Sequence, residues 1–240
     1  LNSVFLTASW RYLAMANFAA PPELLEPHLP RGTELDTFDG VCYVSVVAFL
    51  FLDTRLKGIP IPFHRDFEEV NLRFYVSRRC GDEVRRGVVF IKEIVPKPAL
   101  AIVARLAYNE NYVHMPMDHK LTQGENRPEG PVGYRWKSAS GWNDLALTPS
   151  QEAVLPEPGS LEEYITEHYW GYARQRDGGT TEYRVAHPQW QVWPVTQTHF
   201  NCHVEEIYGA DLAPYLKVPP HSSFLAQGSE VAVYSGTRIV

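Results

Sequence analysis

The chain has 240 residues, 45% hydrophobic and 21% charged, a balance that suits a globular protein able to bury a sizeable core. Its formal net charge of −6 comes from interspersed acids and bases, which disfavours a nucleic-acid-binding surface. No apolar run is long enough to span a bilayer, the longest being residues 41–52.

The first residues lack the basic, apolar and cleavage-site succession of a secretory signal, and Cys42, Cys80 and Cys202 are odd in number and far apart. A reduced, cytoplasmic protein without a membrane segment is therefore expected. Alternation and β-forming residues predict a first strand over residues 6–18, followed by a short proline-led helix at 21–29. Residues 41–52 are apolar almost throughout and predict a strand buried on both faces. Residues 69–77 and 85–95 predict a hairpin closed around Arg79-Cys80-Gly81-Asp82. A buried helix is expected over residues 97–108, beginning at Pro98.

Strands are predicted at 112–121, at 132–138 and around Leu145. Helical spacing returns at Leu161, Tyr164, Ile165, His168, Tyr169 and Tyr172, with Ser160 as N-cap and Glu163 three residues on. The Tyr164/His168/Tyr172 stripe reads as core or interface. Strands at 181–186, 195–207 and 229–240 close the chain, with a helical turn near 211–216. Residues 122–130 and 149–159 are polar loops, and no repeat or linker interrupts the pattern. The expectation is one β-rich α+β domain over residues 1–240, with about three helices on a large antiparallel sheet.

The run Glu69-Val70-Asn71-Leu72-Arg73-Phe74-Tyr75-Val76 carries the functional signal. Read with period two, Glu69, Asn71, Arg73 and Tyr75 share one face of a strand, and the apolar residues take the other. An even-numbered turn places Arg86, Val88, Phe90 and Lys92 on the same face, with Glu69 opposite Lys92 in one register. Two readings fit: the wall of a polar cavity, or a surface ladder of cross-strand ion pairs. Arg105, inside the apolar 97–108 segment, must reach a carboxylate, a ligand or the helix edge.

The order Phe67-Glu68-Glu69-Val70-Asn71-Leu72-Arg73-Phe74-Tyr75-Val76, then Gly87-Val88-Val89-Phe90, then Ala104-Arg105 and Tyr108, resembles the YqjF-like family of uncharacterised proteins. Trp10, the LEPHLP run at 25–30, Tyr43-Val44-Ser45 and His187-Pro188-Gln189-Trp190 extend the likeness over most of the chain. That family looks related to the acetoacetate decarboxylase-like superfamily. The resemblance implies a mostly antiparallel sheet curled into a cone or partly closed barrel around a small-molecule cavity.

Acetoacetate decarboxylase uses a lysine, within Arg-Glu-x-x-Gly-x-Pro-Lys, as a Schiff-base nucleophile. Laid on this chain from Arg105, the motif keeps the arginine and puts Tyr112 at the lysine's position. A phenol forms no imine, so decarboxylase activity of that kind is not expected. The decarboxylase's cavity acid corresponds to Glu69. Among Lys57, Lys92, Lys97, Lys120, Lys137 and Lys217, Lys92 is best placed to stand in, but a facing Glu69 would hold it protonated.

His199 and His203 share a strand face while Cys202 points away, so they do not converge on a metal. No phosphate loop, nucleophile elbow or HExxH motif is present, and neither metal nor cofactor is expected. Residues 187–194 read as an apolar ligand wall or as an edge segment pinned by buried tryptophans. The resulting expectation is a cavity lined by Glu69, Asn71, Arg73, Tyr75, Lys92, Arg105 and Tyr112 for a small anionic or carbonyl-containing ligand. Glu69 would serve as acid/base, Arg73 or Arg105 as anion holder and Tyr112 as hydrogen-bond donor. Lyase- or hydrolase-type chemistry without a Schiff base is one outcome, and a non-catalytic sensor or carrier is the other. A homo-oligomer is compatible with either.

Overall fold

The structure, a computed structural model, describes residues 3–60, 62–98 and 111–240. Its strands are β1 (Val4–Ala20), β2 (Glu34–Leu35), β3 (Cys42–Leu56), β4 (Ile59–Pro60), β5 (Phe67–Cys80), β6 (Glu83–Val95), β7 (Tyr112–His114) and β8 (Met117–Lys120). They continue with β9 (Val132–Ser138), β10 (Gly141–Pro149), β11 (Trp170–Arg174), β12 (Thr180–Ala186), β13 (Val192–Asn201), β14 (Ser222–Tyr234) and β15 (Thr237–Arg238). Among the described residues, four short α-helices accompany them: α1 (Pro22–Leu25), α2 (Leu161–Thr166), α3 (Val204–Tyr208) and α4 (Ala213–Leu216). None of the described helices is long and apolar enough to cross a membrane.

The strands join in one large sheet in which β12, β11, β6, β5, β3, β1 and β14 follow one another, and a further β12–β14 pairing closes them into a ring. From β14 the sheet runs on through β13, β10, β9 and β8. β3 is apolar on both faces along most of its length because both are covered. Val44, Val46, Leu72 and Phe74 face outward into a core shared with Tyr134 and Trp136 of β9, Leu145 of β10 and Ile207 of α3. Tyr43, Val47, Phe49 and Tyr75 belong to a second core shared with Tyr164 and Ile165 of α2 and with Trp190.

The β-rich α+β class expected from the sequence is found, with corrections of detail. The sheet is mixed, because β6 pairs parallel with both β7 and β11. The strand expected at 112–121 is two short strands, β7 and β8. The expected helix at 97–108 lies almost wholly outside the described residues. Ser160 caps α2 as expected, its hydroxyl accepting from the Glu163 N–H at 3.2 Å, while the Glu163 carboxylate accepts from the Gly159 N–H. The helical spacing beyond it does not persist, so Tyr164 and Tyr172 sit on different elements. Residues 170–174 pair instead between β6 and β12, and Gly171 lies so close to the Tyr183 ring that a Cβ would come within 2.2 Å. Pairing partners supplied by the tertiary fold outweigh a local pattern. The strand expected at 195–207 ends at Asn201, because Asn143 Oδ1 accepts the His203 N–H at 2.7 Å and the chain turns into α3.

Candidate functional site

The polar row of β5 points into the ring. Its apolar alternates Val70, Leu72, Phe74 and Val76 are fully buried in the outer core, so period two sends Glu69, Asn71, Arg73 and Tyr75 inward. Glu69 is 3% exposed, Asn71 2% and Arg73 8%, which excludes the surface-ladder reading.

A cavity of about 200 Å³ lies against them. Glu69, Asn71, Arg73, Glu93 and Tyr112 line it together with the rings of Trp10, Phe49, Phe51, Phe67, Phe90 and Trp190. Tyr75 is not among its lining residues. Its hydroxyl lies 2.7 Å from Ser45 Oγ, which in turn donates to Asn17 Oδ1 at 2.6 Å, forming a buried polar chain behind the wall.

The hairpin register departs from the expected one. Val88 and Phe90 do share the inner face, paired with Tyr75 and Arg73. One extra residue, Ile91, then interrupts the ladder: Arg73 pairs with Phe90 but Leu72 pairs with Lys92. This β-bulge reverses the side-chain alternation beyond it. Lys92 therefore leaves the face of Glu69, and Glu93 takes the inner position opposite Asn71. Lys92 lies against the outer core instead, donating to the backbone carbonyl of Ile207 in α3, and partial burial lowers its pKa. Strand periodicity alone carries no sign of such a bulge, so Glu93 was not foreseen.

Within the cavity, Asn71 Nδ2 donates to Glu69 Oε1 at 3.0 Å and the Tyr112 hydroxyl donates to Glu69 Oε2 at 3.3 Å. Tyr112 is brought there by the parallel β6–β7 pairing, which sets it beside Glu93. Burial pushes the Glu69 carboxyl up to about 7, outweighing the opposite pull of those two hydrogen bonds and of the Arg73 charge. Burial, reinforced by Glu69 and Glu93, raises the Tyr112 phenol well above its ordinary value, so it remains a donor at neutral pH.

The Arg73 guanidinium donates to the Ile165 carbonyl at 3.5 Å and stands 5.6 Å from the Tyr75 ring centre. Its buried Nε has no hydrogen-bond partner among the described residues, nor has Asn71 Oδ1. Of the described residues that line the cavity, Arg73 is the one arginine, and none is a lysine. Arg105 lies outside the described residues.

His168 also borders the cavity, a role the sequence did not single out. Its Nε2 meets Asp36 Oδ2 at 3.2 Å, and Arg86 Nε donates to the same oxygen at 2.7 Å. Burial lowers the His168 pKa to about 4, against the pull of Asp36, so the ring is neutral near pH 7. Residues 187–194 fit both of their readings: Trp190 is 3% exposed, donates to Ser229 Oγ at 2.9 Å, stacks on His187 and lines the cavity. Elsewhere, His199 is paired with Asp144 and His119 with Glu68.

The DUF2071 family, described as an uncharacterized conserved protein, matches residues 7–230, which take in most of β1, the polar row and most of β14. The chain belongs to that family. It is 24% identical over 172 residues to the uncharacterized protein YqjF of Bacillus subtilis (strain 168), covering 70% of this chain and 67% of that protein.

Solved structures share the fold of this DUF2071 member. An acetoacetate decarboxylase from Legionella pneumophila superposes with a TM-score of 0.69 at 13% identity, covering 98% of this chain and 87% of the other. An acetoacetate decarboxylase-like enzyme from Sphingomonas wittichii RW1 gives 0.67 at 14% identity, covering 99% and 94%. The enduracididine biosynthesis enzyme MppR, complexed with pyruvate, gives 0.66 at 8% identity, covering 99% and 91%. The expected relation to the YqjF-like family and to the acetoacetate decarboxylase-like fold is thus found.

Proposed function

We propose that this DUF2071 protein binds a small carboxylate or carbonyl compound in the ring cavity and acts on it without a covalent imine. The observation that carries this reading is the buried Arg73 guanidinium, whose Nε lacks a partner among the described residues and which lines the cavity beside Glu69. A buried cation with unused donors is costly unless an anion completes it. In this reading Arg73 holds the ligand's carboxylate or oxyanion, with Arg105 as a second candidate. Glu69 exchanges a proton with the ligand near neutral pH, and Tyr112 and Asn71 fix the Glu69 carboxyl. Lyase- or hydrolase-type proton chemistry is the enzymatic form.

The Schiff-base mechanism is not part of the proposal. Tyr112 stands where the resemblance places the decarboxylase's lysine, and no lysine lines the cavity among the described residues. The same observation favours a second reading, a ligand sensor or carrier on the same fold.

Calorimetric titration with a panel of small monocarboxylates and ketones, followed by mass analysis of the recovered ligand, separates these readings. Conversion that disappears in Glu69→Gln supports the enzyme, whereas tight binding with unchanged ligand supports the carrier. Carboxylate binding unaffected by Arg73→Gln would sink both.

A further inference from the structure

The cavity's two carboxyls, its amide, its guanidinium and a phenol lie on three adjoining strands. Glu69, Asn71 and Arg73 follow one another on the inner face of β5, Glu93 lies opposite Asn71 on β6, and Tyr112 adjoins Glu93 on β7. On the other side of β5 the wall changes character. Phe49 of β3 pairs with Glu69, and one inward step further Phe51 pairs with Phe67. The Phe51 and Phe67 rings stack with centroids 4.7 Å apart, and Trp10 meets Phe49 at 5.3 Å and Phe51 at 5.5 Å. Trp190 extends this surface, its ring 6.2 Å from that of Trp10. A ligand anchored at Arg73 and extending past Glu69 thus leaves the polar groups and runs onto a continuous aromatic wall.

Charge narrows the choice further. Glu69 and Glu93 both line the cavity, and among its described lining residues Arg73 is the one arginine or lysine side chain. One ligand carboxylate finds a partner in Arg73, and no other described lining residue offers a second carboxylate an arginine or lysine. A short hydrophilic acid would leave the aromatic wall uncovered and its water undisplaced.

We propose that the ligand is an amphipathic monocarboxylic acid, its carboxylate held by Arg73 and an apolar body of several carbons lying on the Trp10–Phe49–Phe51–Phe67 wall. This rests on the proposed anion-holding role of Arg73 and adds the substrate class. It sets this cavity apart from a pocket suited to an acid as small as pyruvate.

The test is a calorimetric series at pH 6 with acetate, butanoate, hexanoate and octanoate, with hexanol and pyruvate alongside. Affinity should rise about fourfold for each added methylene until the cavity is filled, the equivalent of about 0.8 kcal/mol per buried CH₂. Hexanoate should bind at least tenfold more tightly than hexanol, and pyruvate should fall with the short acids. In Phe67→Leu, which keeps an apolar residue at that position, the rise of affinity with chain length should flatten.

A series with no dependence on chain length would overturn the amphipathic class and leave the anion site standing. Equal binding of hexanoate and hexanol would overturn the Arg73 reading beneath it. Failure of every acid to bind to protein that melts cooperatively would overturn both.

Discussion

Replacing Glu69 with glutamine should make the protein more stable in alkali and leave it little changed in acid. Glu69 is fully enclosed, and burial lifts its carboxyl from an ordinary 4.5 to about 7. A carboxyl whose affinity for protons is higher folded than unfolded favours the fold most when protonated. That contribution is complete below the unfolded value, near pH 4.5, and is lost as pH rises through about 7. The gap between those values, at about 1.4 kcal/mol for each tenfold in proton affinity, amounts to about 3 kcal/mol. Glutamine keeps the oxygen that accepts from Asn71 Nδ2 and never ionises, so it removes the alkaline cost. Denaturant unfolding of both proteins at pH 5 and pH 8 measures the effect. Because pH 5 lies slightly above the unfolded value, the stability difference should move by about 2–3 kcal/mol in favour of the variant between the two pH values. Any fixed cost of disturbing the Tyr112 hydrogen bond cancels in that comparison. An equal difference at both pH values would refute the claim that Glu69 is desolvated and near neutral.

Further outcomes follow from the same contacts. Arg73→Met should abolish carboxylate binding while leaving the unliganded protein no less stable by thermal melting, because it removes a buried cation with an unpartnered Nε. Tyr112→Phe removes a donor to Glu69 Oε2 and should raise the Glu69 pKa further, readable by NMR titration of the labelled carboxyl. Borohydride treatment with a carbonyl compound should give no lysine adduct by mass, and a stoichiometric adduct would restore imine chemistry. Ser45→Ala strands the Tyr75 hydroxyl and Asn17 Oδ1 in the core and should cost about 1–3 kcal/mol in denaturant unfolding.

Much of the site was legible in the strand alternation of residues 69–76, because period two is a local property and both sets of residues declare themselves by type. The cap at Ser160 was legible for the same reason: its hydrogen bonds span three residues. The direction of the polar row was not local. It required the outer core, shared with β9, β10 and α3, to cover the apolar alternates and leave the polar ones facing the ring.

The helical spacing that ran from Leu161 to Tyr172 misled beyond Thr166. Residues 170–174 are claimed by β6 and β12, whose hydrogen bonds only the assembled sheet supplies. The placement of Lys92 failed through one residue, Ile91, because an unpaired position is a relation between two strands and leaves no mark on either alone.

The amino-acid sequence by itself determined the family, the β-rich class and the composition of the inner face of β5, all carried by residue type and short-range order. Tertiary structure alone decided that β12 meets β14 to close the ring, that Glu93 rather than Lys92 takes the inner face beside the β5 row, and that aromatic rings line the cavity beyond Glu69. Those features depend on backbone hydrogen bonds and ring contacts between residues far apart in the chain, and such pairings become definite only when the strands meet.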